Sequence, residues 1–108
     1  MNIKQIDPNI KKEIIKYRDK LESKGINVTK IILFGSFVKG KNDEHSDIDV
    51  AVVSPEFGKD YQKEMVKLLI LSHKINNLIE PHPFNERELK NKYNALSNEI
   101  RKYGLLVK

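Results

Sequence analysis

One stretch of the sequence, residues 31–53, constrains the fold more than any other. It begins with an apolar run at residues 31–34, whose β-branched and aromatic side chains predict a buried strand. Gly35 and Ser36 end this run, because glycine permits a sharp turn and serine offers a hydroxyl and a backbone N–H there. After a polar loop, residues 47–49 (Asp-Ile-Asp) run into four more apolar residues and predict a second strand. The rest of the chain is therefore expected to be organised around these two strands.

The acidic pair at the start of the second strand is the main chemical signal. Side chains alternate between the two faces of a strand, so Asp47 and Asp49 are expected on one face, with Cα atoms roughly 6.6–6.8 Å apart. Two carboxylates held side by side repel each other unless a positive charge lies between them. A divalent cation fits this requirement, and ligands that are all oxygen favour magnesium or manganese.

The pattern GSFVKGKNDEHSDIDVAVV, at residues 35–53, resembles the active-site signature of the DNA polymerase beta-like nucleotidyltransferase superfamily. That signature is an apolar strand, Gly-Ser, a loop of variable length and Asp-x-Asp on the next strand. The short chain is similar to the smallest branch, the minimal nucleotidyltransferases, which are often encoded beside a HEPN-domain partner. The resemblance extends over residues 31–84. A Gly-Ser turn or an Asp-x-Asp pair alone is a weak signal, but both in this order beside apolar strands are specific.

The resemblance and the length of 108 residues predict one minimal nucleotidyltransferase domain over residues 1–108. The expected class is α+β, with a small mixed β-sheet of three to four strands covered by helices, in the nucleotidyltransferase (polymerase beta palm-like) fold. Helices are expected from Asp7-Pro8 to Gly25, over residues 36–40, over residues 60–76, and after a capping box at Asn85 and Glu88. Further strands are expected at residues 77–84 and 105–107.

Helical spacing predicts two apolar helix faces, of which the first is assigned to the core. One belongs to the helix over residues 60–76, and the other to the last helix, which Gly104 is expected to end. Their members are Tyr61, Met65, Leu68, Leu69, Ser72 and Ile75 in the first face, and Tyr93, Leu96, Ile100 and Tyr103 in the second.

Glu80 lies in the middle of the predicted strand over residues 77–84 and has two interpretations. It is either an exposed glutamate of an edge strand, since Pro81 and Pro83 cannot donate to a ladder, or the third carboxylate of the site. The resemblance favours the second, because the family supplies a third carboxylate from a later strand beside the Asp-x-Asp strand. His82 shares the face of Glu80 and is expected to line the edge of the site without a catalytic role.

The resemblance implies transfer of a nucleoside monophosphate, AMP from ATP or from another nucleoside triphosphate, to an acceptor hydroxyl. Asp47, Asp49 and Glu80 are then the catalytic residues and the ligands of a two-metal magnesium or manganese site. The turn at Gly35 and Ser36 holds the triphosphate. Lys39 either reaches a phosphate oxygen or is an exposed lysine.

The resemblance also implies a HEPN-domain protein as partner and acceptor. An alternative from a different class is an antitoxin or interaction subunit that binds a HEPN toxin with little or no turnover. The net charge of +5 suits a phosphate-bearing ligand or an acidic partner. Nucleic-acid binding is not indicated, because no helix concentrates Lys and Arg with interleaved aromatic residues. The absence of cysteine and of any long apolar run favours a cytoplasmic protein without membrane association.

Overall fold

A computed structural model of the chain describes residues 6–43 and 45–107. The elements, in chain order, are α1 Pro8–Ser23, β1 Lys30–Phe34, α2 Ser36–Lys39, β2 Ile48–Val53, α3 Tyr61–His73, β3 Ile79–Phe84, α4 Glu86–Leu89, α5 Ala95–Tyr103 and β4 Leu105–Leu106. The predicted α+β class, with a mixed sheet and covering helices, is confirmed. Within the described residues, no helix has both the length and the apolar character that crossing a membrane requires.

The four strands form one sheet in the order β3-β2-β1-β4. Strand β2 runs antiparallel to β1 and parallel to β3, while β4 runs antiparallel to β1. In this register Asp49 of β2 lies opposite Phe34 of β1 on one side and Glu80 of β3 on the other. The end of β1 and the start of β3 therefore meet at Asp49.

Strand β3 is an edge strand, as its two prolines predict. The N–H of Ile48 donates to the carbonyl of Leu78 at 2.6 Å, and the N–H of Ser54 donates to the carbonyl of Phe84 at 2.9 Å. The even-numbered residues of this segment therefore direct their backbone polar groups towards β2. The backbone groups of the odd-numbered Pro81 and Pro83 point away from the sheet. Their missing N–H groups therefore cost no ladder hydrogen bond.

The sheet has apolar side chains on both faces. One face packs against α1 and α3 and forms the larger core, which includes Tyr17, Leu21, Val50, Val52 and Leu68. The other face packs against the C-terminal helices and forms a smaller core of Phe34, Ala51, Val53, Phe84, Leu89 and Ile100. Since side chains alternate along β2, Asp49 lies on the face of the smaller core.

The helix boundaries follow local capping signals. The Asp7 carboxylate accepts the N–H of Asn9 at 2.8 Å at the start of α1, and Gly25, with φ of 83°, follows the end of this helix. Asn85 and Glu88 form the predicted capping box. This box begins the four-residue helix α4, and α5 begins separately after its own N-cap, Asn94.

The predicted core position of Tyr61 is wrong, and so is the predicted place of Tyr93 in the last helix. Tyr93 is 87% exposed and Tyr61 is 57% exposed. Tyr93 precedes the Asn94 cap and so lies outside the helix whose face it was expected to share. Tyr61 is the first residue of α3, and the buried stripe of that helix begins further along, at Leu68, Leu71 and Ser72.

Tyr17 joins the two helices that cover the larger core. Its side chain is fully buried, and its hydroxyl donates to the Leu68 carbonyl at 2.8 Å. Burial raises the pKa of Tyr17, so the phenol remains a neutral donor.

Tyr17→Phe should therefore lower the free energy of unfolding by about 1 kcal/mol, the typical net worth of a buried hydrogen bond. Chemical denaturation measures this change. Tyr93→Phe removes a hydroxyl from an exposed ring and should cost almost nothing. Equal effects of the two substitutions would show that the hydrogen bond to Leu68 contributes no stability.

Candidate active site

Three side chains that can bind a metal ion converge on the open part of the sheet face. Asp49 comes from β2, and Glu80 and His82 come from β3. One ligand atom from each lies within 4.8 Å of the others. His82 Nε2 is 3.4 Å from Asp49 Oδ1 and 4.0 Å from Glu80 Oε1. The parallel register causes this convergence, because it places Glu80 opposite Asp49 and His82 one pleat further on the same face.

The position of His82 is fixed by its neighbours. Its ring lies 5.1 Å from the ring of Phe34, centroid to centroid, with the two planes inclined at 59°. The side chain is only 17% exposed. The sequence prediction placed His82 at the edge of the site, whereas its imidazole contacts Asp49 directly. The available signal was that His82 and Glu80 share one face of the same strand.

Gly35 lies against the Asp49 carboxylate. Its φ of 81° is in the left-handed region, and a Cβ at this position would lie 2.4 Å from Asp49 Oδ2. A glycine is therefore required here for two separate reasons, backbone conformation and space. The Gly-Ser turn and the acidic strand, which the sequence predicted as parts of one site, are in contact.

Ser36 follows at the start of α2 and is half-buried. The Gly35 carbonyl accepts the N–H groups of Val38 and Lys39 at 3.1 and 3.2 Å. The short predicted helix after the turn is thus present. It begins beside the carboxylates because Gly35 contacts Asp49.

Asp47 lies just before β2 and is exposed. It is outside the compact group of Asp49, Glu80 and His82, but its carboxyl group is near enough to Glu80 to raise the pKa of Glu80. The three carboxyl groups predicted from the sequence therefore cluster around Glu80.

The surroundings of Glu80 disfavour its ionised form. Partial burial raises the pKa of Glu80, and the charge of Asp49 and the hydrogen bond with Asp47 raise it further, while His82 acts in the opposite direction. A bound cation would remove this conflict, because it would neutralise charges that now face one another.

Lys39 has its contacts elsewhere. Its ammonium group forms an ion pair with Glu99 of α5 and lies 5.7 Å from the centroid of the Tyr103 ring. The hydrogen bond to Glu99 raises the pKa of Lys39. To reach a phosphate, Lys39 would have to exchange Glu99 for the ligand, so its predicted role remains a prediction.

The residues present fit a divalent cation. Two carboxylates and an imidazole are suitable donors, and their ligand atoms, which lie within 4.8 Å of one another, would have to draw together only slightly, since bonds of roughly 2.0–2.2 Å place two ligand atoms at most about 4.4 Å apart. Carboxylates suit magnesium and manganese, and an added imidazole favours manganese over magnesium.

The raised pKa of Glu80 gives a stability prediction. The folded state binds its proton more tightly than the unfolded chain does, so ionisation destabilises the metal-free fold as the pH rises through the raised pKa. Near neutral pH, Glu80→Gln should therefore raise the melting temperature of the metal-free protein, and the gain should vanish in acid. Magnesium or manganese should then stabilise the wild type more than the variant.

Thermal denaturation in EDTA and in excess metal, at neutral and acidic pH, measures both effects. Glu13→Gln makes the same chemical change on α1, outside the site, and serves as the control. A lower melting temperature of metal-free Glu80→Gln at neutral pH would contradict the prediction.

Comparisons with known proteins bear on the family and the fold. A family described as "Nucleotidyltransferase domain" matches residues 12–104. No curated protein matches the chain.

Three solved structures have a similar fold. A crystal structure of a toxin–antitoxin with AMP-PNP gives a TM-score of 0.65 at 21% identity, over 91% of this chain and 72% of that one. A candidate nucleotidyltransferase from Sulfolobus solfataricus gives 0.65 at 19% identity, over 91% and 78%. A crystal structure of the toxin–antitoxin MntA–HepT gives 0.60 at 18% identity, over 94% and 72%. The fold predicted from the sequence is confirmed.

Proposed function

We propose that this chain, which belongs to the nucleotidyltransferase domain family, transfers a nucleoside monophosphate to an acceptor hydroxyl. The proposed reaction is transfer of AMP from ATP. The observation that carries this proposal is the pairing of Asp49 with Glu80 on adjacent parallel strands, with Gly35 in contact with Asp49. A pair of carboxylates beside a glycine turn suits a reaction in which a metal-bound triphosphate is held against the sheet edge.

In the proposed reaction, the oxygen of the acceptor hydroxyl forms a bond to the α-phosphorus, and the bond from this phosphorus to the pyrophosphate oxygen breaks. The hydroxyl proton must leave as the new bond forms. Glu80 is the carboxylate proposed to accept it, because its side chain is 44% exposed on the open side of the site, where an acceptor would enter.

Asp47, Asp49 and Glu80 are the proposed metal ligands, with His82 as an additional donor beside them. Bound magnesium or manganese would neutralise the charge that develops on the attacking and leaving oxygens. His82 holds Asp49 Oδ1 from one side, while the Gly35 backbone limits the movement of Oδ2 on the other. These two contacts would keep Asp49 in one orientation.

Gly35 and Ser36 are proposed to hold the triphosphate through backbone N–H groups and the Ser36 hydroxyl. Because Gly35 lies against the Asp49 carboxylate, a phosphate bound at this turn would lie close to the proposed metal ligands. Lys39 would join them only after leaving Glu99.

The acceptor is proposed to be a hydroxyl on a HEPN-type partner protein. The site is open, with the Glu80 side chain 44% exposed and Asp47 exposed at its rim. In-line positioning of an acceptor can contribute roughly 7–11 kcal/mol to lowering the barrier. An open site leaves this positioning to a partner, and two of the similar structures are toxin–antitoxin proteins.

The proposal predicts that ATP binding requires a divalent cation. Calorimetry should detect ATP binding in magnesium or manganese, and EDTA should weaken it by at least about tenfold, or ~1.4 kcal/mol. Equal affinity in EDTA would contradict the role of the carboxylates as metal ligands.

Transfer is tested with ATP labelled at the α-phosphate, incubated with and without a co-encoded HEPN-domain protein. Label should appear on that protein only when this chain is present. Efficient transfer by the isolated chain to RNA or to a small molecule would support the nucleotidyltransferase activity but contradict the proposal that the acceptor is a protein.

A further inference from the structure

Helix α3 has an apolar strip on its outer side that the core does not use. Leu68 and Leu71 of this helix are buried, whereas Val66 and Ile70 are 54% and 55% exposed. Residues four apart are neighbours on a helix surface, so Val66 and Ile70 form one continuous strip. A continuous exposed strip of this kind indicates a contact surface more strongly than single exposed apolar residues do.

The strip is part of an open groove of about 650 Å³, here called the α3 groove. It lies between α3 and the residue that follows α1, and its lining is Lys24, Gln62, Lys63, Val66, Lys67, Ile70 and Leu71. The groove has an apolar floor and no acidic side chain in its lining. It is too open to enclose a small molecule, but it is shaped to receive a row of side chains from another surface.

The rim of the α3 groove is positively charged. Lys24, Lys63 and Lys67 form no ion pair within residues 6–43 and 45–107. The nearby acids Glu56 and Glu64 line a neighbouring cavity together with Lys63 and Lys67, but their carboxylates accept backbone N–H groups there. The three ammonium groups can therefore pair with carboxylates from another molecule.

We propose that the α3 groove is the docking site for an amphipathic helix of a partner protein, with an apolar stripe flanked by acidic residues. A helix presents side chains at i, i+3, i+4 and i+7, which is the spacing needed to pack along the Val66–Ile70 strip. Its acidic flanks would pair with Lys24, Lys63 and Lys67. The overall positive charge of the chain would favour the same encounter.

This surface is separate from the candidate active site. Leu68 and Leu71 pack on the sheet face that carries Val50 and Val52, whereas Asp49 and Glu80 lie on the opposite face. A partner docked in the α3 groove would leave the carboxylates uncovered. The inference goes beyond the proposed function and does not depend on it, since docking requires neither metal nor nucleotide.

The test uses two synthetic peptides of roughly five helical turns, about 18 residues, with the same leucine stripe. One peptide has glutamate on both flanks and the other has lysine. Methyl NMR spectra of the full chain should show the Val66 and Ile70 signals shifting with the glutamate peptide and not with the lysine peptide. Val66→Ser and Ile70→Ser should each weaken binding at least about tenfold, or ~1.4 kcal/mol.

A charge reversal provides an independent arm. Lys63→Glu combined with Lys67→Glu should exchange the preference, so that the lysine peptide binds and the glutamate peptide does not. The control is Tyr93→Ser, which removes an apolar side chain that is 87% exposed and lies outside the groove, and which should leave binding unchanged.

Four results would overturn the proposal. These are no binding of the glutamate peptide, equal binding of both peptides, dimerisation of the chain that Ile70→Ser abolishes, and binding to phosphatidylserine vesicles that the same variant abolishes. The third would assign the groove to a second copy and the fourth to a membrane surface. Failure of AMP transfer with peptide binding intact would reject the proposed function alone.

Discussion

Asp49→Asn should reduce transfer by at least about 10³-fold, equivalent to roughly 4 kcal/mol of lost transition-state stabilisation. Asp49 occupies the centre of the site, with His82 on Oδ1, the Gly35 backbone beside Oδ2, and Glu80 opposite it in the sheet register. An amide has nearly the same shape as a carboxylate but carries no charge, so the fold should remain while metal affinity falls. Asp47→Asn should also reduce transfer.

The measurement has two parts. Label from α-labelled ATP reports transfer to the proposed HEPN-type acceptor, and electron paramagnetic resonance of manganese reports metal binding without any acceptor. Asp19→Asn makes the same change on the exposed side of α1 and should alter neither signal. If Asp49→Asn binds manganese as tightly as the wild type, Asp49 is not a metal ligand.

Gly35→Ala is expected to have the second largest effect. The left-handed backbone at Gly35 strains any other residue, at a cost of order 1–3 kcal/mol. In addition, the new methyl group would lie 2.4 Å from Asp49 Oδ2, so either the turn or the carboxylate must move. The variant should lose stability by about 1–3 kcal/mol and should lose most of its metal binding and transfer.

Gly40→Ala separates the effect of backbone strain from the effect of the close contact with Asp49. Gly40 also has a left-handed backbone, with φ of 73°, but a Cβ there would meet no atom within 4 Å. Gly40→Ala should lose less stability, since ψ of 20° places Gly40 in the αL region that other residues can adopt at a cost of roughly 1–2 kcal/mol, and it should keep its manganese affinity. Equal metal affinity of Gly35→Ala and Gly40→Ala would show that the close approach of Gly35 to Asp49 is not needed for the site.

The parts of the fold that the sequence predicted are those set by short-range patterns. The apolar run, the Gly-Ser turn and the Asp-x-Asp strand each depend on neighbouring residues, and the capping signals at Asp7 and Asn85 depend on their first helical turns. Such features can be recognised in a window of a few residues.

The features that were missed depend on contacts between distant segments. His82 reaches Asp49 only through the parallel register of β2 and β3, which no local pattern specifies. Lys39 pairs with Glu99, which lies 60 residues away in the chain, and no local pattern indicates this contact. Helical periodicity alone also extended the last helix back to Tyr93. Asn94 is the N-cap that begins this helix, but nothing in the sequence distinguishes it from the other asparagines.

The alternation of residues in β3 has a consequence for the mobility of the site. Glu80 and His82 each precede a proline, and a residue before proline is confined to extended conformations. Pro81 and Pro83 have their own φ angles fixed near −65°. Fewer backbone conformations are therefore open to this segment in the unfolded chain, and each proline can favour the folded state by about 0.4–1 kcal/mol through reduced entropy. An edge strand is ordinarily free to fray, but this one holds its two polar side chains on a backbone that is stiff before any ligand arrives.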